Sequence, residues 1–169
     1  IPKMNPETLA RLHQQARLQF LARESGQRQL EILPDAGTAG RGFTRLPRPS
    51  AGDLFFDMEG DPLEEGGLEY LFGVYFFEQG KAEFKAFWAH SRAEEKRAFE
   101  TFLDFVSERL RRYPEAHIYH YAAYEVTALR RLSTAYASRE DAVDALLRAE
   151  KFVDLYSVAR HAIRTSQPS

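Results

Sequence analysis

The chain has no cysteine among its 169 residues. That removes disulfides, thiolate zinc sites and a cysteine nucleophile. It has no run of about 18 apolar residues, so no membrane span is expected, and no charged-then-apolar leader marks a signal peptide. It has no surplus of positive charge: 23 Lys and Arg stand against 25 Asp and Glu, a net charge of −2. A free-standing DNA-binding domain is usually basic. A domain that binds polyanions around an acidic centre can still sit near neutrality, because the acids offset its basic contacts. There is no internal repeat and no low-complexity tract. What is present is 44% hydrophobic and 13% aromatic content, enough for one domain with a real core. The chain opens on Ile1 and stops in Thr165–Ser169 without a clear ending; the expectation is a segment of a longer, cytoplasmic protein.

One stretch organises the rest: Leu54-Phe55-Phe56-Asp57-Met58-Glu59-Gly60-Asp61-Pro62. Leu54, Phe55, Phe56 and Met58 read as a buried strand, which Asp57 and Glu59 interrupt. Residues i and i+2 of a strand point the same way, about 6.8 Å apart. Both carboxylates therefore leave one face at the strand's C-terminal end, and Gly60 and Pro62 stop it. Two carboxylates on a core strand repel, and burying each ion costs several kcal/mol without compensation. A divalent cation with oxygen ligands, Mg²⁺ or Mn²⁺, is the natural compensation. The plainer alternative is a strand end whose acids point into water.

Around this stretch the chain reads as follows. Asn5-Pro6-Glu7 starts a helix that runs to about Arg23, with Leu9, Leu12, Ala16 and Phe20 at helical spacing. Gln29–Leu33 suits a short strand. Residues 34–52 are Pro/Gly-rich and read as a linker or surface loop. Tyr70–Phe77 and Ala82–Trp88 are two strands joined by a turn at Glu78–Lys81. Ser91 with Glu94 forms a capping box for a helix ending near Arg112. Ala116–Tyr121 is a fourth strand, Tyr124–Tyr136 a helix, and Ser138 with Asp141 opens another. Phe152–Tyr156 is a short strand and Ser157–Thr165 a helix. A three-strand meander followed by parallel strands joined by helices is the ribonuclease-H-like pattern, an α/β mixed sheet flanked by helices. The expected division is residues 1–50 as a helical extension and linker, and 51–169 as this domain, truncated at its C-terminus.

Further acids fall beside the first strand. Glu125, in the first turn of its helix, is placed to reach an ion held by Asp57 and Glu59; alternatively it is a helix-start acid favoured by the dipole. Asp154, inside an apolar strand, needs a partner, for which a metal, an arginine or a helix N-terminus would serve. Asp61 follows as ordinary turn chemistry. His120 is a candidate for binding phosphate or orienting water, and Tyr121 and Tyr124 for stacking on bases. The other four histidines show no ligand spacing.

These motifs resemble those of a known group. Asp57-Met58-Glu59 looks like the first motif of the DEDD 3′–5′ exonucleases. His120-Tyr121-Ala122-Ala123-Tyr124-Glu125 resembles their second, with Glu125 where that group has Asp, and Val153-Asp154-Leu155 resembles the stretch that follows. More closely, Gly52–Pro62, Tyr70–Gly73 and Ile118–Glu125 resemble the ribonuclease-H-like domain of predicted RecB-family nucleases. The resemblance covers roughly residues 1–165. It implies a metal-dependent nuclease, 3′–5′ exonuclease-like, acting on single-stranded DNA in repair or defence with two Mg²⁺ or Mn²⁺ ions. Asp57 would bridge the ions, Glu59 would ligate the one that activates water, Glu125 would complete the other's shell, Asp154 would assist, and His120 and Tyr124 would bind substrate. The implied partners are nucleic acid and neighbouring nuclease and helicase domains. The group's last motif, Tyr or His followed four residues later by Asp, is not visible before residue 169. That absence, with Glu125 for Asp, supports the rival expectation of an inactive module that clamps single strands or docks its neighbours.

Overall fold

The computed structural model describes residues 4–34 and 37–167; residues 1–3, 35–36 and 168–169, parts of the expected extension, linker and C-terminal end, lie outside it. Helix α1 (Pro6–Ser25) begins as expected, with the Asn5 side chain accepting from the Glu7 amide at 2.8 Å, and ends at Gly26 in the left-handed region. Strand β1 (Leu30–Ile32) follows, then a single 3-10 turn at Gly42–Arg45. The chain continues through β2 (Leu54–Asp61), β3 (Leu68–Glu78), β4 (Lys81–Trp88), α2 (Arg92–Arg112), β5 (Ile118–His120), α3 (Tyr124–Tyr136), α4 (Glu140–Arg148), β6 (Phe152–Asp154), α5 (Leu155–Ala162) and β7 (Ile163–Thr165). By contacts it forms two units: one runs to Leu46 and resumes at Ser157, and the other is Pro47–Tyr156.

In the first unit β7 pairs antiparallel with β1, Glu31 opposite Arg164. The last helix expected to Thr165 therefore ends at Ala162, because Ile163–Thr165 is drawn out along β1. Periodicity within Ser157–Thr165 carried no sign of a partner more than a hundred residues away. On α1 the expected apolar stripe does not become a core: Leu9, Leu12 and Phe20 are exposed, and Leu18 is the buried residue of the helix.

The second unit holds the ribonuclease-H-like sheet, order β4-β3-β2-β5-β6. β4, β3 and β2 are an antiparallel meander, and β2, β5 and β6 run parallel. Strict alternation along β2 decides the layers. Leu54, Phe56 and Met58 are buried, while Phe55, Asp57 and Glu59 are exposed. The buried side packs on Phe99, Phe102, Leu103 and Val106 of α2, with Phe56 and Phe102 stacked at 4.3 Å. Leu129 and Leu132 of α3 and Val143 and Leu146 of α4 complete that core. Full burial of each large apolar side chain contributes about 1.5–3 kcal/mol. The expectation of a buried acidic strand is corrected here. β2 is half-buried, and its two acids lie on the face that carries the exposed Phe55, Tyr75 and Phe84.

A buried arginine ties the layers together. Arg109 of α2 donates to the carbonyls of Ala51, Gly52 and Phe77 and pairs with Glu78 at 2.5 Å. Arg112 and then Arg109 hold the Glu78 carboxyl below its ordinary 4.5. Two caps depart from expectation. At α2 the Ser91 hydroxyl accepts from the Glu94 amide, but the Glu94 carboxylate accepts from the His90 amide instead of that of Ser91, so the box is half formed. Helix α4 begins at Glu140 behind Arg139 in the left-handed region, and the Ser138 hydroxyl donates to Glu100 instead of capping.

Candidate functional site

The site is the C-terminal end of β2 with the elements beside it. Asp57 and Glu59 share one face, as period-two alternation demands. The Asp57 carboxylate accepts from the Met58 amide at 3.0 Å. Glu59 makes no side-chain hydrogen bond or ion pair among the described residues. Neither acid meets a cation there. Exposed charges need no metal to offset burial, and the pair is simply two solvent-facing carboxylates.

The strand then breaks register. Up to Glu59, which faces Leu71, β2 and β3 pair residue for residue; a bulge follows, and Gly60 faces Glu69. A bulge twists a strand and re-aims the side chains around it. Gly60 is needed at this point. A Cβ there would stand 2.5 Å from the Tyr124 hydroxyl and 2.6 Å from Glu69 Oε2. Tyr124 crosses close over the strand and donates to Glu69 at 2.8 Å, and Arg131 donates to the other Glu69 oxygen at 2.5 Å. Glu69 itself is buried, and its amide donates to the buried Glu95 of α2, which also accepts from Arg92 and Tyr136. Burial, then the hydrogen bond to Glu69, pushes the Tyr124 phenol up to about 12.

Glu59, Gly60, Asp61, Gly66, Gly67, Glu69, Tyr124 and Arg131 line a cleft of ≈ 510 Å³. Asp61 closes a turn by accepting from the Leu63 amide at 2.9 Å. Strand alternation and a helix start mark Glu59 and Tyr124 in the sequence; they leave Glu69, Arg131 and the role of Gly60 unmarked. A lone Glu in Leu68-Glu69-Tyr70 and an Arg seven residues after Tyr124 were the available signals, but only the β2–β3 register brings them together.

The remaining candidates lie at the ends of β5 and β6. His120 and Glu125 are 5% and 3% exposed, with Nδ1 and Oε2 3.4 Å apart, and neither atom has a hydrogen-bond partner. The His120 ring meets Phe152 edge-on at 5.9 Å. A histidine this enclosed reaches a polynucleotide only by moving. Asp154 spends Oδ1 on two amides, Ala122 and Tyr156, both at 2.9 Å. It fixes the positive-φ turn at Ala122 and opens α5, the helix-N-terminus alternative of the sequence reading. Tyr121 and Tyr156, both exposed, pack edge-to-face at 5.5 Å.

A divalent ion fits part of this set. Two adjacent carboxylates without cationic partners suit Mg²⁺ or Mn²⁺, which keep several waters and take one or two protein carboxylates. The four expected ligands are not gathered: among the described residues no three of His, Asp and Glu stand together as a metal-holding group. Among the same residues no helix is long and apolar enough to cross a membrane.

Comparison with known proteins gives one finding. A family model described as the RNase H superfamily matches residues 54–167. No curated protein and no solved structure matches the chain.

Proposed function

From the premise that this chain belongs to the ribonuclease H superfamily, a membership that points to nuclease-type activity, we propose that it is a divalent-metal-dependent nuclease whose ion is held by Asp57 and Glu59. The observation that carries the reading is the pair itself: two carboxylates on the solvent face of β2, without cationic partners, of which Glu59 lines the cleft together with Tyr124 and Arg131. When bound, the ion supplies charge stabilisation to the reacting phosphodiester and lowers the pKa of a water. Asp57 orients its carboxylate through the Met58 amide. Glu59 lines the cleft, and with Asp57 it would hold the ion. Tyr124 stays neutral and donates to Glu69, so its ring is held as a wall of the cleft against which a base can stack.

The exposed pair would hold one ion. A second would need Glu125 or Asp154 beside the pair; Glu125 is enclosed against His120, and Asp154 serves two amides. The resemblance to DEDD exonucleases and RecB-family nucleases extends the proposal to single-stranded DNA degraded from its 3′ end, in a cytoplasmic repair or defence protein with nuclease and helicase neighbours. The test is Mn²⁺-dependent shortening of a 5′-labelled single strand. The wild type should give a ladder, and Asp57→Asn should give none at an unchanged melting temperature. Equal cleavage by both would overturn the assignment.

A second reading, a strand-clamping or docking module without activity, is favoured by one observation: the Glu125 carboxylate is buried against His120. It predicts strand binding in EDTA and no cleavage in any metal.

A further inference from the structure

Arg131 is the one cation among the described residues lining the cleft beside Glu59, where it stands with Glu59, Asp61 and Glu69. A polyanion that brings its scissile bond to Glu59 meets the carboxylates of Glu59 and Asp61 on that wall, and Arg131, paired with the buried Glu69, is the lining guanidinium that can take a phosphate. We propose that Arg131 is a substrate-positioning residue that takes a backbone phosphate of the single strand whose scissile bond lies at Asp57 and Glu59. The inference rests on the nuclease reading above.

The way Arg131 is held supports this. Tyr124 and Arg131 are seven residues apart on α3, two turns along one face, and both reach Glu69. The Glu69 side chain is 5% exposed and that of Arg131 44%, so the ion pair is anchored at its acidic end and open at its basic end. A guanidinium carries five N–H donors in a rigid fork. Glu69 engages it through Nη2 alone. The arginine is ordered during folding, so little rotamer freedom remains to be lost when a phosphate arrives. Glu69 in turn is fixed by Tyr124 over Gly60, the residue after Glu59, so the acid that would hold the ion and the cation that would hold the phosphate share one rigid corner.

The test is anisotropy of a fluorescein-labelled dT 12-mer from 50 to 200 mM KCl, with Ca²⁺ in place of Mn²⁺ to hold off cleavage. A single lost phosphate contact lowers the slope of log affinity against log salt by about 0.7. Arg131→Ala is expected to show that loss together with about tenfold weaker binding. Arg131→Lys should keep the slope and lose part of the affinity. Arg111→Ala, which removes an exposed arginine of α2 paired with Glu108, should change neither. The double variant Glu69→Gln/Arg131→Ala removes the buried charge with its partner. It should regain thermal stability lost in Arg131→Ala while the slope stays reduced. A wild-type slope in Arg131→Ala overturns this proposal and leaves the nuclease reading standing, whatever the melting temperature. A wild-type protein that binds no oligonucleotide overturns both.

Discussion

At the scale of single residues, Gly60 and Tyr124 show how tightly the cleft is made. Gly60→Ala places a methyl where the Tyr124 hydroxyl and the Glu69 carboxylate meet. One of them must swing away, and the hydrogen bond between them breaks at a net loss of about 1–2 kcal/mol. The phenol reports it. In the native protein burial and Glu69 favour neutral Tyr124, so its contribution is intact below pH 10 and is lost as pH rises to about 12. Phenolate absorbance at 295 nm should show late titration from Tyr124 and Tyr136, both raised to about 12. Gly60→Ala should return one of the two toward 10, as Tyr124→Phe should delete it. An unchanged titration in Gly60→Ala would refute the arrangement. The sequence marked Asp57, Glu59 and Tyr124 because strand alternation and a helix start are local signals. It did not mark Glu69 or Arg131, because they meet only through the pairing of Gly60 with Glu69 across a bulge. It also placed His120 and Glu125 near the site without revealing that they close on each other.

At the scale of elements, the meander and α2 hold the acidic strand in place. Arg109 is the joint: three carbonyls and one carboxylate from the β2 entry and the β3 end converge on a guanidinium that is 3% exposed. Arg109→Met keeps the apolar stem but leaves the buried Gly52 carbonyl and the half-buried Ala51 and Phe77 carbonyls without this donor. It should lower stability by about 3 kcal/mol in urea unfolding. A loss under about 1 kcal/mol would show that water replaces the arginine there. The meander, α2 and α3 were legible because each carries its own period and its own stops, as Ser91 shows by accepting from the Glu94 amide. The ends were less legible. Ile163–Thr165 is expected as the tail of the preceding helix, yet Ile163 and Thr165 are β-branched, and the segment becomes strand where β1 offers it a ladder. A segment this short takes its state from the partner it finds.

At the scale of the whole molecule, apolar burial is uneven. The contiguous core cluster runs from Leu54 to Phe152 and lies entirely within the unit Pro47–Tyr156. The other unit is knit by the short β1–β7 ladder and polar bonds such as Gln15 to the Thr165 carbonyl and Arg17 to Glu31. Native-state hydrogen exchange should therefore find the amides of β2, β3 and α2 protected up to global unfolding. Those of α1, β1 and β7 should open at several kcal/mol less. Equal protection in both sets would contradict this division. The same unit carries every residue of the proposed site, so its chemistry stands on the better-packed part of the chain.

The claim on which the account turns is that Asp57 and Glu59 hold a divalent ion. Calorimetric titration of Mn²⁺ into the wild type and into Asp57→Asn tests it most directly. The account predicts saturable binding to the wild type that disappears in the variant while the fold is retained. Binding of equal strength to both proteins, or none to either, would contradict it.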